Sequence, residues 1–166
     1  AQVIDAGAVG VNLEDGDRDP AVLCAKIEAV RGAAARAGVA LYVNARTDVY
    51  LRGLASANAR VESTLARAAR YRDAGADGIF VPGVVAADEI AGLVAGLRLP
   101  LNVMARPQLP PAAQLAALGV RRLSAGAAMA EVLYGKVAGL ASAFLRDGVS
   151  TAVLEGAMDY GEINRL

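Results

Sequence analysis

The chain is predicted to be an α/β protein with parallel strands, and three observations carry that prediction. Short apolar runs alternate with longer helix-forming runs from end to end, the pattern of consecutive βαβ units. The short runs stay apolar almost without interruption, as strands do when helices cover the sheet. Glycine recurs where a helix gives way to the next strand, a position that favours the left-handed conformation ending a helix.

Taken in order, "VGVNLE" at 9–14 is the first strand, and "PAVLCAKIEAVRGAAARAG" at 20–38 is the helix that follows, closed by Gly38. "VALYVNAR" at 39–46 is the second strand, and "SANARVESTLARAARYRDAG" at 56–75 its helix. "ADGIFVP", "AADEIAGLVAGL", "PLNVMA", "PAAQLAALG" and "VRRLSAG" continue the alternation to residue 126, with Gly119 marking another junction, and a long helix occupies 127–146. An internal echo supports the repeat: "DAGAVGVNLE" from Asp5 and "DAGADGIFVP" from Asp73 share a helix end, a glycine stop and an apolar strand. Five parallel strands allow an open doubly wound sheet or an incomplete (β/α)₈ barrel. The opening "AQVIDAG" reads as the tail of a helix whose strand precedes residue 1, which favours the barrel.

With 166 residues, 55% of them hydrophobic, the chain is long enough for one domain with a substantial core. Its 17 basic and 17 acidic side chains give no charge signal for nucleic acid or a membrane surface. Apolar runs are broken by Arg, Asp or Gly before the roughly 18 residues a spanning helix needs, and no basic-then-apolar leader opens the chain. A soluble, cytoplasmic protein is expected. Cys24 is the only cysteine; it cannot form an internal disulfide, and within "AVLCAKIEAV" it reads as a small buried hydrophobe. There is no histidine, which excludes a Ser-His-Asp triad, a histidine base and a zinc site of the histidine type. The chemistry left rests on Asp, Glu, Arg, Lys, Asn, Ser and Tyr, with a hard, oxygen-liganded cation such as Mg²⁺ as the natural metal.

In parallel α/β proteins, ligands bind where the carboxyl ends of the strands open into loops. Those ends carry Glu14 and Asp15, then Asn44, Arg46 and Asp48, then Pro82 and Gly83, then Asn102 and Arg106, then Ser124 and Gly126. Asp17 and Asp19 read as cap and first-turn acids of the next helix. Glu14 belongs to the strand and points into the mouth, where it needs either a cation or a donor such as Arg46.

The succession "AGAVGVNLEDG", "YVNARTDVYL", "YRDAGADGIFVPG", "PLNVMA", "ALGVRRLSAG" resembles the isocitrate lyase/phosphoenolpyruvate mutase superfamily, particularly its short bacterial members. The resemblance implies a (β/α)₈ barrel of which these strands are the fourth to eighth, with residues 1–147 as the barrel part and 148–166 as a C-terminal oligomerisation helix exchanged in a homodimer or homotetramer. It implies that Glu14 holds an essential Mg²⁺ through water, that Arg46 binds a substrate carboxylate or phosphoryl oxygen, and that Asn102 lines the pocket. The implied activity is Mg²⁺-dependent C–C cleavage of a small 2-oxo or 2-hydroxy acid through a metal-stabilised enolate. P–C chemistry on phosphonopyruvate and a non-catalytic oxo-acid-binding barrel are the alternatives. Tyr50 and Asp48 are further acid/base candidates.

Two departures narrow that expectation. The family's lyases carry "KRCGH" after the strand matching "VNLE", whereas this chain has "GDRDP", and where they place a glutamate at the third strand it has Pro82 and Gly83. The family's paired D-x-D aspartates would lie upstream of residue 1.

Overall fold

Five strands, β1 (Gly10–Glu14), β2 (Tyr42–Arg46), β3 (Gly78–Phe80), β4 (Leu101–Met104) and β5 (Arg122–Ser124), form one sheet in sequential order in a computed structural model that describes residues 2–166. Every neighbouring pair is parallel. The helices are α1 (Gln2–Asp5), α2 (Pro20–Ala37), α3 (Arg60–Asp73), α4 (Ala87–Gly96), α5 (Ala112–Ala117), α6 (Ala128–Asp147), α7 (Thr151–Leu154) and α8 (Tyr160–Ile163), with a 3₁₀ turn at Ala57–Ala59. Sequential order puts β1 at one edge of the sheet, not inside it, as a barrel segment requires and a doubly wound sheet with a switch point does not. The chain divides into two compact units, 1–124 and 125–166.

In the first unit α2, α3, α4 and α5 bury residues against one face of the sheet. On α2 the buried residues are Leu23, Ile27 and Ala34, and on α3 they are Thr64, Ala68 and Tyr71, spaced at helical period. Of these, Leu23, Ile27, Ala68 and Tyr71 share one core with Val43, Ala45, Ile79, Leu101 and Val103 from the strands. Each fully buried Leu or Ile contributes about 1.5–3 kcal/mol by leaving water. Helix α2 starts where Asp19 accepts the Ala21 N–H at 2.8 Å beside Pro20, and stops at Gly38, whose φ of 66° is left-handed.

The other face is polar. Asn12 pairs in register with Asn44, and the Asn44 amide donates to Asn12 Oδ1 at 2.9 Å and to Asn102 Oδ1 at 3.1 Å. Strands two apart lie about 9.5 Å from each other in a flat sheet. A direct bond from β2 to β4 therefore requires a face curved inward. Gly78 on the intervening strand permits it, since a Cβ there would run into the Tyr42 hydroxyl and lie 3.1 Å from Asn44 Oδ1. The near-continuous apolar reading of the strands is thus corrected: they alternate, with asparagines inward.

At the amino ends of the strands, Arg31 of α2 donates from Nε to the Gly75 carbonyl and from Nη1 to the Leu41 carbonyl, both at 2.6 Å, and pairs through Nη2 with Asp77. Asp77 in turn accepts the Val43 N–H at 2.7 Å. One guanidinium thereby ties the entries of β2 and β3 to α2.

In the second unit, α6 ends at Gly148 with φ 68°, and the tail expected as a helix is helical in two short turns, α7 and α8, with Gly156 at φ 71° between them. Helix α6 has 20 residues and contains an 18-residue window with a mean hydropathy of 1.3, which by length and composition alone is enough to cross a membrane. Valine, leucine, phenylalanine and alanine carry that average, although Glu131 and Lys136 interrupt the apolar run.

Candidate functional site

Glu14 and Arg46 end β1 and β2 as register partners, and Phe80 is the partner of Arg46 on β3. The Arg46 guanidinium carbon lies 5.8 Å from the centre of the Phe80 ring, within cation–π range. Its Nη1 meets Glu14 Oε2 at 3.1 Å. Its Nε and Nη2 grip the two oxygens of Asp48 at 2.7 and 3.2 Å, a fork-on-fork pairing that only a planar guanidinium makes. The hydrogen bond to Asp48 raises the Arg46 pKa, against the opposing effect of burial, so the side chain is a permanent cation.

Asp48 is fully buried, whereas Glu14 is 55% exposed. Arg46, 25% exposed, therefore has one edge locked into the protein and its Nη1 end facing the mouth. Arg52 adds its Nε to Asp48 at 3.3 Å and an Nη1 contact to Asp17 at 3.7 Å. A cleft of about 220 Å³ beside Glu14 is bordered by Asp17, Arg18, Lys26 and Arg52.

Asp15 lies beneath this cluster, fully buried. Its Oδ1 accepts the Asp48 N–H at 2.9 Å, and its Oδ2 accepts the Tyr71 hydroxyl at 2.6 Å and Arg67 Nη1 at 2.8 Å. Burial first, and then the bond to Asp15, push the Tyr71 phenol far above its ordinary range. Burial is the largest single influence on Arg67 and works against its cation, but the bond to and charge of Asp15, together with Tyr71, outweigh it and the pKa is raised.

Asn102 takes part in a different network. It is buried, its Oδ1 accepts from Asn44 and Arg122, and its Nδ2 lies 2.6 Å from the Val103 carbonyl and 3.3 Å from Ser124 Oγ. The structure joins Asn102 and Ser124 to the asparagine layer and joins Glu14 to Arg46 and Asp48. A second cavity, of about 190 Å³, opens on that layer beside Gly10, Tyr42 and Arg122, at the end of β1 and β2 opposite the mouth. The Tyr50 hydroxyl is buried without a hydrogen-bond partner among the described residues, and burial together with Glu89 pushes its pKa well up.

Strand-end position alone brings Arg46 and Glu14 together and puts Asp15 beside them, but gives Asp15 no role. It sits in "EDGDRDP" among acids that all look like helix caps, and its partners are 33, 52 and 56 residues away. For a hard cation the donor type at Glu14 is right and the donor number is not. Among the described residues no three Asp, Glu, Cys or His side chains converge as a metal site would need.

Five parallel strands in sequential order with alternating helices place the chain in the class of (β/α)₈ barrels, of which it is a part, with the Arg46 fork and Glu14 at the carboxyl ends of its strands. Within that class the chain belongs to the phosphoenolpyruvate phosphomutase family, whose model matches residues 1–145. An uncharacterized protein of Mycobacterium tuberculosis is 40% identical over 129 residues, 75% of this chain and 46% of that protein. Oxaloacetate decarboxylase of Pseudomonas fluorescens is 37% identical over 89 residues, 51% of this chain and 31% of the enzyme. The crystal structure of a candidate lyase/mutase from Burkholderia cenocepacia J2315 superposes with a TM-score of 0.85 at 34% identity, covering 98% of this chain and 60% of that one. The chain thus spans about half the length of the curated relatives it matches. Members of the superfamily generally use a divalent metal.

Proposed function

We propose that the protein carrying this chain is a lyase that cleaves the C–C bond beside the carbonyl of a small 2-oxo or 2-hydroxy acid, with Arg46 binding the substrate carboxylate. The observation that carries the reading is the Asp48 fork, which fixes Arg46 on one edge while its Nη1 end meets only the half-exposed Glu14 carboxylate, a contact a substrate anion could replace. A preset donor does not reorganise as charge develops on the substrate, which is how such groups favour a transition state. The likeness to an oxaloacetate decarboxylase supports an oxo-diacid as substrate.

Glu14 in this reading contributes one oxygen contact, through water, to a Mg²⁺ ion whose other ligands are not among the residues described. The ion's chemistry is to stabilise an enolate oxyanion. Asn102 supports the barrel interior beneath the substrate. Oligomerisation through the C-terminal helices, as a homodimer or homotetramer, belongs to the same proposal and is supported by the apolar character of α6. Incubating full-length protein and Mg²⁺ with a panel of oxaloacetate, 2-oxoglutarate and 2-hydroxy diacids, and following products by NMR, tests it; no C–C cleavage with any of them would count against the reading.

A second reading, P–C bond chemistry, is favoured by the phosphomutase family match itself. Phosphonopyruvate in the same panel, read by phosphorus NMR, separates the two.

A further inference from the structure

Asp15 plays no part in the binding step just described, yet it is fully buried and accepts three hydrogen bonds, as many as Asp48. An acid serving only to cap α2 would face that helix, as Asp19 does in accepting the Ala21 N–H at 2.8 Å. Asp15 instead turns to the loop after β2 and to α3. It accepts from the Asp48 main chain at 2.9 Å and from Tyr71 and Arg67 at 2.6 and 2.8 Å. Asp48 then holds both nitrogens of the Arg46 fork. We propose that Asp15 is a positioning residue for Arg46, transmitting the rigid placement of Arg67 and Tyr71 on α3 through the Asp48 amide to the guanidinium that meets substrate.

Geometry and chemistry both fit this role. The Asp15 and Asp48 side chains have no exposure, so neither carboxylate can be re-solvated by water if its donors move. The turn bearing Arg46 and Asp48 is therefore held at one main-chain point by a group that tolerates little displacement. A displacement of about 1 Å in a binding group costs up to roughly a hundredfold in productive binding.

The inference rests on the reading of Arg46 as the carboxylate binder, and its test separates the two. The probe is oxalate, a small planar dicarboxylate resembling a 2-oxo acid, titrated calorimetrically into full-length protein with Mg²⁺. Asp15→Asn keeps an acceptor for the Asp48 amide but turns an NH₂ toward two donors, and should weaken oxalate binding about tenfold. Tyr71→Phe removes a single hydroxyl, keeps the core packing, and should give a smaller loss in the same direction. In an Arg46→Lys background neither should add a further loss, because their effect passes through the arginine fork. Unchanged oxalate affinity in both variants with a lower melting temperature would overturn the proposal, as would the same added loss in the Arg46→Lys background. If Arg46→Lys alone leaves oxalate affinity unchanged, the carboxylate-binding reading fails first and this inference falls with it.

Discussion

Glu14 and Arg46 end adjacent strands in register and meet at 3.1 Å, yet only one of them is fixed from behind. Arg46 has its Nε and Nη2 committed to buried Asp48, while Glu14 is half in solvent and has no other side-chain partner among the described residues. The pair is therefore asymmetric: the arginine stays where it is, and the carboxylate is free to leave it for another charge.

That asymmetry sets the outcome for Arg46→Lys. An ammonium keeps the charge but cannot reproduce two parallel bonds to Asp48, so the position of the cation loosens. Affinity for a 2-oxo acid should fall by about 1.5–3 kcal/mol, the worth of a charged hydrogen bond, and stability should fall as well because Asp48 is left short of a donor. Titration of oxaloacetate or 2-oxoglutarate beside a thermal melt reads both quantities. A lower melting temperature with unchanged affinity would make Arg46 a structural residue only.

For Glu14→Gln the expectation is reversed. An ion pair this exposed is worth about 0–1 kcal/mol, so the melting temperature should barely move. In full-length protein the amide should weaken Mg²⁺ binding, measured by titration of the metal-stripped protein with no substrate present. A variant that binds Mg²⁺ as the parent does would remove Glu14 from the metal assignment.

The strand ends were legible because their position is dictated by topology: once alternation and the glycine stops define parallel strands, the residue after each apolar run must face the mouth. Arg46 and Glu14 follow from that alone. Asp15 and Asp48 do not, since whether a loop acid caps a helix or is buried beneath a neighbouring strand depends on contacts more than 30 residues away. The asparagine layer was hidden differently. Asn12, Asn44 and Asn102 each stand singly in an apolar run, and only the register of β1 to β4 shows that they share one face. Asn102 was placed at the pocket by resemblance, and its full set of internal partners became visible only with the fold.

The opposite end of the strands makes a separable prediction. Arg31→Ala removes bonds to Gly75, Leu41 and Asp77 at once and leaves the half-exposed Asp77 carboxylate with the Val43 amide. A loss of about 2–4 kcal/mol is expected in urea unfolding. Affinity for an oxo acid should not change in the folded fraction, because Arg31 lies at the amino ends and Arg46 at the carboxyl ends. A change in affinity as large as that of Arg46→Lys would show that the two ends of the barrel are coupled.

Alkaline pH tests the buried phenols. Tyr71, Tyr50 and Tyr42 all have pKa values raised above the ordinary 10.0, Tyr71 and Tyr50 chiefly by burial, as is Tyr42, with nearby carboxylates adding to each. A raised value means that the folded chain keeps a proton which the unfolded chain releases. Their contribution is therefore fully present below pH 10 and is lost as pH climbs from there toward the folded values. Fully buried Tyr71 adds a slope of about 1.4 kcal/mol per pH unit in that window, and the more exposed Tyr42 adds less because water screens it. Tyr71→Phe lowers stability at neutral pH through the lost bond to Asp15, but it should also flatten the decline above pH 10 by one tyrosine's share. Urea midpoints of parent and variant between pH 9 and 11 measure this: converging curves are expected, and parallel curves would mean that Tyr71 ionises as readily in the folded protein as in the unfolded chain.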